Sequence, residues 1–331
     1  MVINSVQGNP KKIVVIGGGT GSFTLLSGLK KHDVDLTALV SMADDGGSTG
    51  ILRDEYGVLP PGDVRQCLVA LSDSQSLRDL FSYRFSDGTF SGHSFGNVFL
   101  STAEKMTGSF ESAVDLAAEV LAITGRVLPI TTTDSQLVMT QKEGNKVIGE
   151  FKIAHSKMTS RPVLSLLPES QIISRAKQAI ESADLVVIAP GSLYGTLAPA
   201  LLVNGVGTAL SNTRATVTYV CNMVTKPNQT DGFMVHDYAA EIERFIGSNC
   251  LDVVIYNTDE PPPSLLKKYT HDGEFIVDFD LEKMHSLHYK AIGAPLIDAQ
   301  PVSSVEGDLI AHARTLIRHN TDELSRLLLA L

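Results

Sequence analysis

The 331-residue chain contains no tryptophan and only three cysteines, Cys67, Cys221 and Cys250. The cysteines are far apart, odd in number and outside any C-x-x-C spacing. That excludes a disulfide framework and a cysteine-based zinc site, and it fits a reducing compartment. No apolar run approaches the ~20 residues that span a bilayer. The first ten residues, Met1 to Pro10, are polar and lack the apolar core of a secretory leader, so a cytoplasmic protein is expected. Basic residues are also short: 27 Lys and Arg stand against 37 Asp and Glu, a formal net charge of −10. Such a chain offers no basic face to nucleic acid. An anionic small ligand must then be held locally, by backbone donors, a few cations or a bound metal. What the chain does have is 43% hydrophobic residues and 27 glycines, enough for one globular domain over residues 1–331.

The densest glycine cluster organises the rest. Ile13-Val14-Val15-Ile16 reads as a strand buried on both faces, and Phe23 to Leu29 resumes with helical spacing. Between them lie Gly17, Gly18, Gly19, Thr20, Gly21 and Ser22. Strand, glycine turn and helix aim backbone N–H groups and the positive end of a helix dipole at a phosphate, where a Cβ would obstruct close approach. A tight turn without a ligand is the alternative, but it seldom needs four glycines in five positions. The spacing is not the standard dinucleotide fingerprint. The next strand, Leu36 to Val40, runs into Ser41-Met42 rather than an acidic residue that would hold a ribose.

Two strands joined by a short helix predict a parallel sheet with right-handed crossovers. In such sheets ligands sit outside the carboxyl ends of the strands. There the chain places Asp44, Asp45, Gly46, Ser48 and Thr49, and paired carboxylates followed by glycines and hydroxyls suit a hard cation such as Mg²⁺, or else an Asp-rich turn. Asp63 is positioned to cap the helix Val64 to Leu71, and it becomes a metal ligand with Asp45 if that helix start faces Asp45. Arg65 can reach a phosphate or pair with an Asp. A histidine between glycines, His93, with Ser94 and Asn97, marks a second loop at a helix start.

The pattern changes from Leu137 to Ile153, where alternation around Gly144-Asn145 predicts an antiparallel hairpin inserted into the core. Leu185 to Ala189 then repeats the opening logic: a buried strand, then Pro190, Gly191, Ser192, Tyr194 and Gly195 before a helix from Leu197. Two such turns at neighbouring strand ends would form one crevice. Thr216 to Cys221 is a further strand, and Asn222 at its end can read a base, ribose or carbonyl. Val253 to Asn257 is another. Pro261 to Pro263 ends the alternation, and residues 264–331 form a less regular cap with a short strand at Phe275 to Val277. His285 and His288 share a helical face but have no third ligand nearby. Thr321 to Leu331 is a terminal helix that docks on the core or makes a homodimer contact.

The predicted fold is therefore α/β: a doubly wound, mainly parallel, Rossmann-like sheet with helices on both faces and an inserted hairpin. The blocks Ile16 to Gly21, Asp44 to Gly50, Pro60 to Leu68, Gly92 to Asn97 and Ala189 to Gly195 resemble the CofD/YvcK-like superfamily. So do Cys221 to Thr225 and Thr230-Asp231-Gly232, and the resemblance spans roughly residues 11–320. One branch contains Mg²⁺-dependent 2-phospho-lactate transferases that use an activated guanosine nucleotide. The other contains gluconeogenesis factors, cytoplasmic proteins needed for cell shape on gluconeogenic carbon sources and reported to bind UDP-sugars. The paired glycines Gly46-Gly47 resemble the second branch. The resemblance implies a UDP-sugar or a GDP-type nucleotide as ligand, and Asp45 and Asp63 as positions for metal and acceptor binding; NAD could occupy such a crevice as a surrogate dinucleotide. Lys226-Pro227-Asn228-Gln229 departs from the run with Gly and Glu that it implies there.

Overall fold

The structure, a computed structural model, describes residues 9–142, 144–158, 160–298 and 317–331. It opens with β1 (Lys11–Gly17), α1 (Gly19–Leu29) and β2 (Val34–Val40). Five helices follow, α2 (Gly47–Tyr56), α3 (Gly62–Leu71), α4 (Gln75–Ser82), α5 (Phe95–Thr107) and α6 (Phe110–Val120), and then β3 (Arg126–Pro129). An insertion contributes β4 (Gln136–Thr140), β5 (Lys146–Ile148), α7 (Glu150–Ala154) and β6 (Val163–Leu167). The alternation resumes with α8 (Ser174–Glu181), β7 (Leu185–Ile188), a π-helical turn over Leu193–Leu197, α9 (Ala198–Leu201), α10 (Val206–Asn212) and β8 (Thr216–Val220). Then come α11 (Val235–Ile246), β9 (Val253–Asn257), α12 (Pro263–His271), α13 (Leu281–His285) and β10 (Lys290–Ala294). The described chain ends in β11 (Ile297–Asp298), β12 (Arg318–His319) and α14 (Thr321–Leu329).

Seven strands form one parallel sheet in the order β10-β9-β8-β7-β1-β2-β3. The alternation of side chains along each strand divides the core in two. Ile13, Val15, Leu36 and Val187 point to one face, where Leu25, Leu26 and Leu29 of α1, Leu68 of α3 and Leu324 and Leu328 of α14 cover them. Val14, Ile16, Val186 and Ile188 point to the other, under Ile180 of α8, Leu201 of α9 and Ile242 of α11. A strand packed on both sides must be apolar at every position, which is why these segments read as unbroken hydrophobic runs.

The doubly wound α/β architecture is as the sequence predicts. The chain runs outward from β1 through β2 to β3, then returns to the other side of β1 and runs outward from β7 to β10. The strand order thus reverses between β1 and β7, the point where such sheets open a crevice. The inserted hairpin is β4–β5, and β6 adds a third antiparallel strand on the other side of β4. The terminal helix docks on the core: Asn320 caps α14, Leu324 and Leu328 are buried, and Gly28 of α1 lies against Thr321 and Ser325.

Three local readings are corrected. The helix after β7 opens with the π-helical turn from Leu193, four residues before Leu197, because the Leu197 N–H bonds back to the Ser192 carbonyl. His285 ends α13 while His288 lies beyond it, bonded to Glu243 of α11, so the two do not share a helical face. Residues 275–277 make only a single bridge, Ile276 to Val224, and no strand. Of the cap over 264–331, residues 299–316 lie outside the described residues.

Candidate functional site

The glycine turn after β1 and the turn after β7 meet at the strand-order reversal. The Ala189 N–H donates to the Ile16 carbonyl, which brings the two strand ends level. Gly21 lies so close to Pro190 that a Cβ on it would collide with the Pro190 carbonyl oxygen. Gly19 has φ +63°, a conformation that costs a residue with a Cβ about 1 kcal/mol or more. Here the glycines are required by geometry: one for a left-handed backbone, the other for contact between the two turns.

The first turn is not bare. The helix α3 starts at Gly62, so Asp63 sits at its second position and does not act as the cap. Its carboxylate turns toward the glycines instead, against Gly18, and accepts the Gly19 N–H. A carboxylate at the positive end of α1 is electrostatically favoured, yet burial and the neighbouring Asp44 carboxylate push Asp63 up to about 7, against the opposing pull of Arg65. Asp44 is likewise raised, by burial first, although it accepts from the Gly46 N–H (3.0 Å) and the Thr49 side chain.

Asp45 points elsewhere. Its carboxylate accepts the Phe151 N–H at 2.7 Å, at the first turn of α7, and lies against Gly149. Asp63 therefore faces Asp44 and not Asp45. The same α7 carries Glu150, a residue the sequence reading does not single out. It lies against Gly195 in the second turn. Burial, then Asp44 and Asp45, push Glu150 up to about 8, with Lys226 opposing. Four carboxylates thus gather from a strand end, a helix start and the insertion. Among the described residues no three His, Cys, Asp or Glu side chains converge in a metal-ligating arrangement.

The remaining candidates on this wall form one network. Arg65 Nε donates to Asn97 Oδ1 at 2.9 Å, which orients the amide so that its NH₂ donates to Ser48 Oγ at 3.2 Å. The Ser48 hydroxyl is in turn hydrogen-bonded to His93 Nδ1 at 2.9 Å. Ser94 caps α5 through the Asn97 N–H. Residues 48, 65, 93, 94 and 97, scattered in sequence, tie the starts of α2, α3 and α5 together beside the acids.

On the opposite wall two candidates have other duties. Tyr194 is 1% exposed, its ring packed edge-on against Phe245 in the core, because the π-helical turn points it inward from the crevice. Asn222 binds the second turn itself, donating to the Gly191 carbonyl at 2.7 Å and accepting from Tyr219 at 3.1 Å. Ser192 Oγ accepts the Gly195 N–H and caps the π-helical turn. Ser22 is buried with its hydroxyl toward Gly17. Beside the second turn lies a cavity of about 170 Å³, whose lining includes Ser192, Asn222, Lys226 and Glu274. Of these Lys226 and Glu274 carried no motif. The sequence signal for Glu150 is an acid directly after Gly149 at the hairpin exit.

The profile of the family described as 2-phospho-L-lactate transferase CofD matches residues 13–297. The gluconeogenesis factor of Bacillus subtilis is 35% identical over 327 residues, covering 98% of this chain and 99% of that protein. That of Halalkalibacterium halodurans is 34% identical over 321 residues, with 96% of each covered. The crystal structure of a UPF0052 family member from Bacillus halodurans superposes with a TM-score of 0.87 at 34% identity, covering 97% of this chain and 100% of that one. Matched along nearly its whole length by a profile, by relatives and by a fold, the chain belongs to the CofD family.

Proposed function

We propose that this protein is a gluconeogenesis factor that holds the diphosphate of a nucleotide, a UDP-sugar first among them, in the crevice between β1 and β7. The observation that carries the reading is the backbone contact of Gly21 with Pro190, which joins the two turns at the strand-order reversal. Backbone N–H groups of Thr20 and Gly21 in the first turn of α1 and of residues 192–194 in the second turn would cradle the phosphates, since those of Gly19, Gly195 and Thr196 are already donated within the protein. Asp63 fills part of the first turn, so the phosphates and that carboxylate need a cation between them. Asp44 and Asp63, oxygen donors facing one another, fit Mg²⁺, which commonly takes one or two carboxylates and completes its shell with water and phosphate oxygens. When bound, the ion would neutralise phosphate charge. Asp45, committed to α7, then acts by holding the insertion over the crevice. On the family resemblance alone, the proposed role is cytoplasmic and concerns cell shape during gluconeogenic growth.

A second reading is favoured by the same acids. Asp44, Asp63 and Glu150 beside a phosphate cradle suit a transferase of phosphorus-containing groups, as the family description suggests. Thermal-shift titrations with UDP-sugars, GDP and NAD, with and without Mg²⁺, test both. A ligand at 100 times its Kd stabilises by about 2.7 kcal/mol. UDP-sugar shifts without product support the binding factor. Mg²⁺-dependent transfer of the phospholactyl group from a guanosine diphosphate donor to the hydroxyl of a deazaflavin acceptor, with GMP released, supports the transferase. No shift from any nucleotide refutes both.

A further inference from the structure

We propose that the cavity beside the second turn receives a carboxylate carried on the sugar of the nucleotide ligand, and that Lys226 selects it. The inference rests on the nucleotide-sugar reading and names the class of sugar: an acidic one. The cavity, about 170 Å³, has the volume of several water molecules and so admits a sugar-sized group at most. Nearly every polar side chain on its wall is already committed. Ser192 caps the π-helical turn and Asn222 braces Gly191. Thr225 Oγ1 accepts the Phe275 N–H, and Thr230 Oγ1 accepts from both the Lys226 N–H and the Tyr238 hydroxyl. Gln229 Nε2 donates to the Ala154 carbonyl at 2.8 Å.

Lys226 and Glu274 are the exceptions, and Lys226 is the one cation among the described residues of the lining. Its side chain is half-buried at the cavity wall, and among the described residues its ammonium makes no ion pair. Glu274 lines the same cavity and Glu150 lies nearby, neither in an ion pair with it, and burial raises both of those carboxyls. A partly desolvated ammonium without a partner is unfavourable until an anion arrives. A single lysine between two acidic side chains matches a monoanion. A phosphate dianion would call for the several donors that phosphate sites usually assemble.

The test compares UDP-glucose with UDP-glucuronate, which differ only in a carboxylate at C6, by calorimetric titration of the full chain and of Lys226→Met and Lys226→Arg. The wild type is expected to bind UDP-glucuronate roughly tenfold more tightly, the ratio that one charge-assisted hydrogen bond supplies. Lys226→Met should erase that ratio while leaving UDP-glucose affinity within about threefold, and Lys226→Arg should restore part of it. Equal wild-type affinities, or a preference that survives in Lys226→Met, overturn the assignment and leave nucleotide-sugar binding intact. Binding of neither compound overturns the nucleotide-sugar reading and this inference with it.

Discussion

Replacing Asp63 by asparagine should make the protein more stable at neutral and alkaline pH while weakening nucleotide and Mg²⁺ binding. Asp63 is raised from 3.8 to about 7, by burial and by Asp44, so its folded-state affinity for a proton exceeds that of the unfolded chain. Below pH 3.8 both states hold the proton and the side chain is neutral in its effect. As the pH rises from about 4 to about 7 the unfolded chain releases the proton first, and stability falls by linkage. The full displacement corresponds to about 4 kcal/mol. Because the side chain is only half-buried, solvent screening reduces this to about 2 kcal/mol at pH 8. Asparagine keeps an oxygen for the Gly19 N–H and adds an amide donor toward Asp44, so the geometry survives without the charge. Urea unfolding of wild type and Asp63→Asn, run at half-unit steps from pH 4 to pH 8.5, measures the difference. The reasoning predicts a gap that opens from near zero at pH 4 and levels off above pH 7. A variant that is less stable at pH 8, or a gap that does not vary with pH, would refute it.

Other perturbations probe separate parts of the structure. Gly21→Ala drives a Cβ into the Pro190 carbonyl oxygen and should destabilise by about 1–3 kcal/mol and abolish nucleotide-induced thermal shifts, read in one melting experiment. His319 is buried, donates to the Cys221 carbonyl at 3.2 Å, and is lowered from 6.5 to about 4 by burial. Its contribution is complete above pH 6.5 and is lost as the pH falls toward 4, by about 2 kcal/mol at pH 5; His319→Gln should flatten that part of the stability profile. Asn97→Ala removes the bridge between Arg65 and Ser48 and should cost about 1–3 kcal/mol, read by urea unfolding.

The sequence by itself determined the central strands of the sheet and the meeting of the turns after β1 and β7, but not the edge strand β10, which it left in the cap. Residues 13–16, 36–40, 185–188 and 253–257 are packed on both faces, and a doubly covered strand has to be apolar at every position, so each shows in one dimension. The glycines at 17–21 were equally legible, since a left-handed φ at Gly19 and the contact of Gly21 with Pro190 leave few alternatives. Side-chain direction was decided only by the tertiary structure. Starting α3 two residues earlier, at Gly62, turns Asp63 from a cap into the partner of Asp44, and a π-helical turn moves Tyr194 from the crevice into the core. Glu150 and Lys226, 76 residues apart, come near one another because the insertion folds back over the turns that follow β2, β7 and β8, held by Asp45 bonded to Phe151 and by Gln229 bonded to Ala154. Local propensity acts over a few residues, whereas the facing of two charges depends on where whole elements pack, and no pattern along the chain encodes that distance.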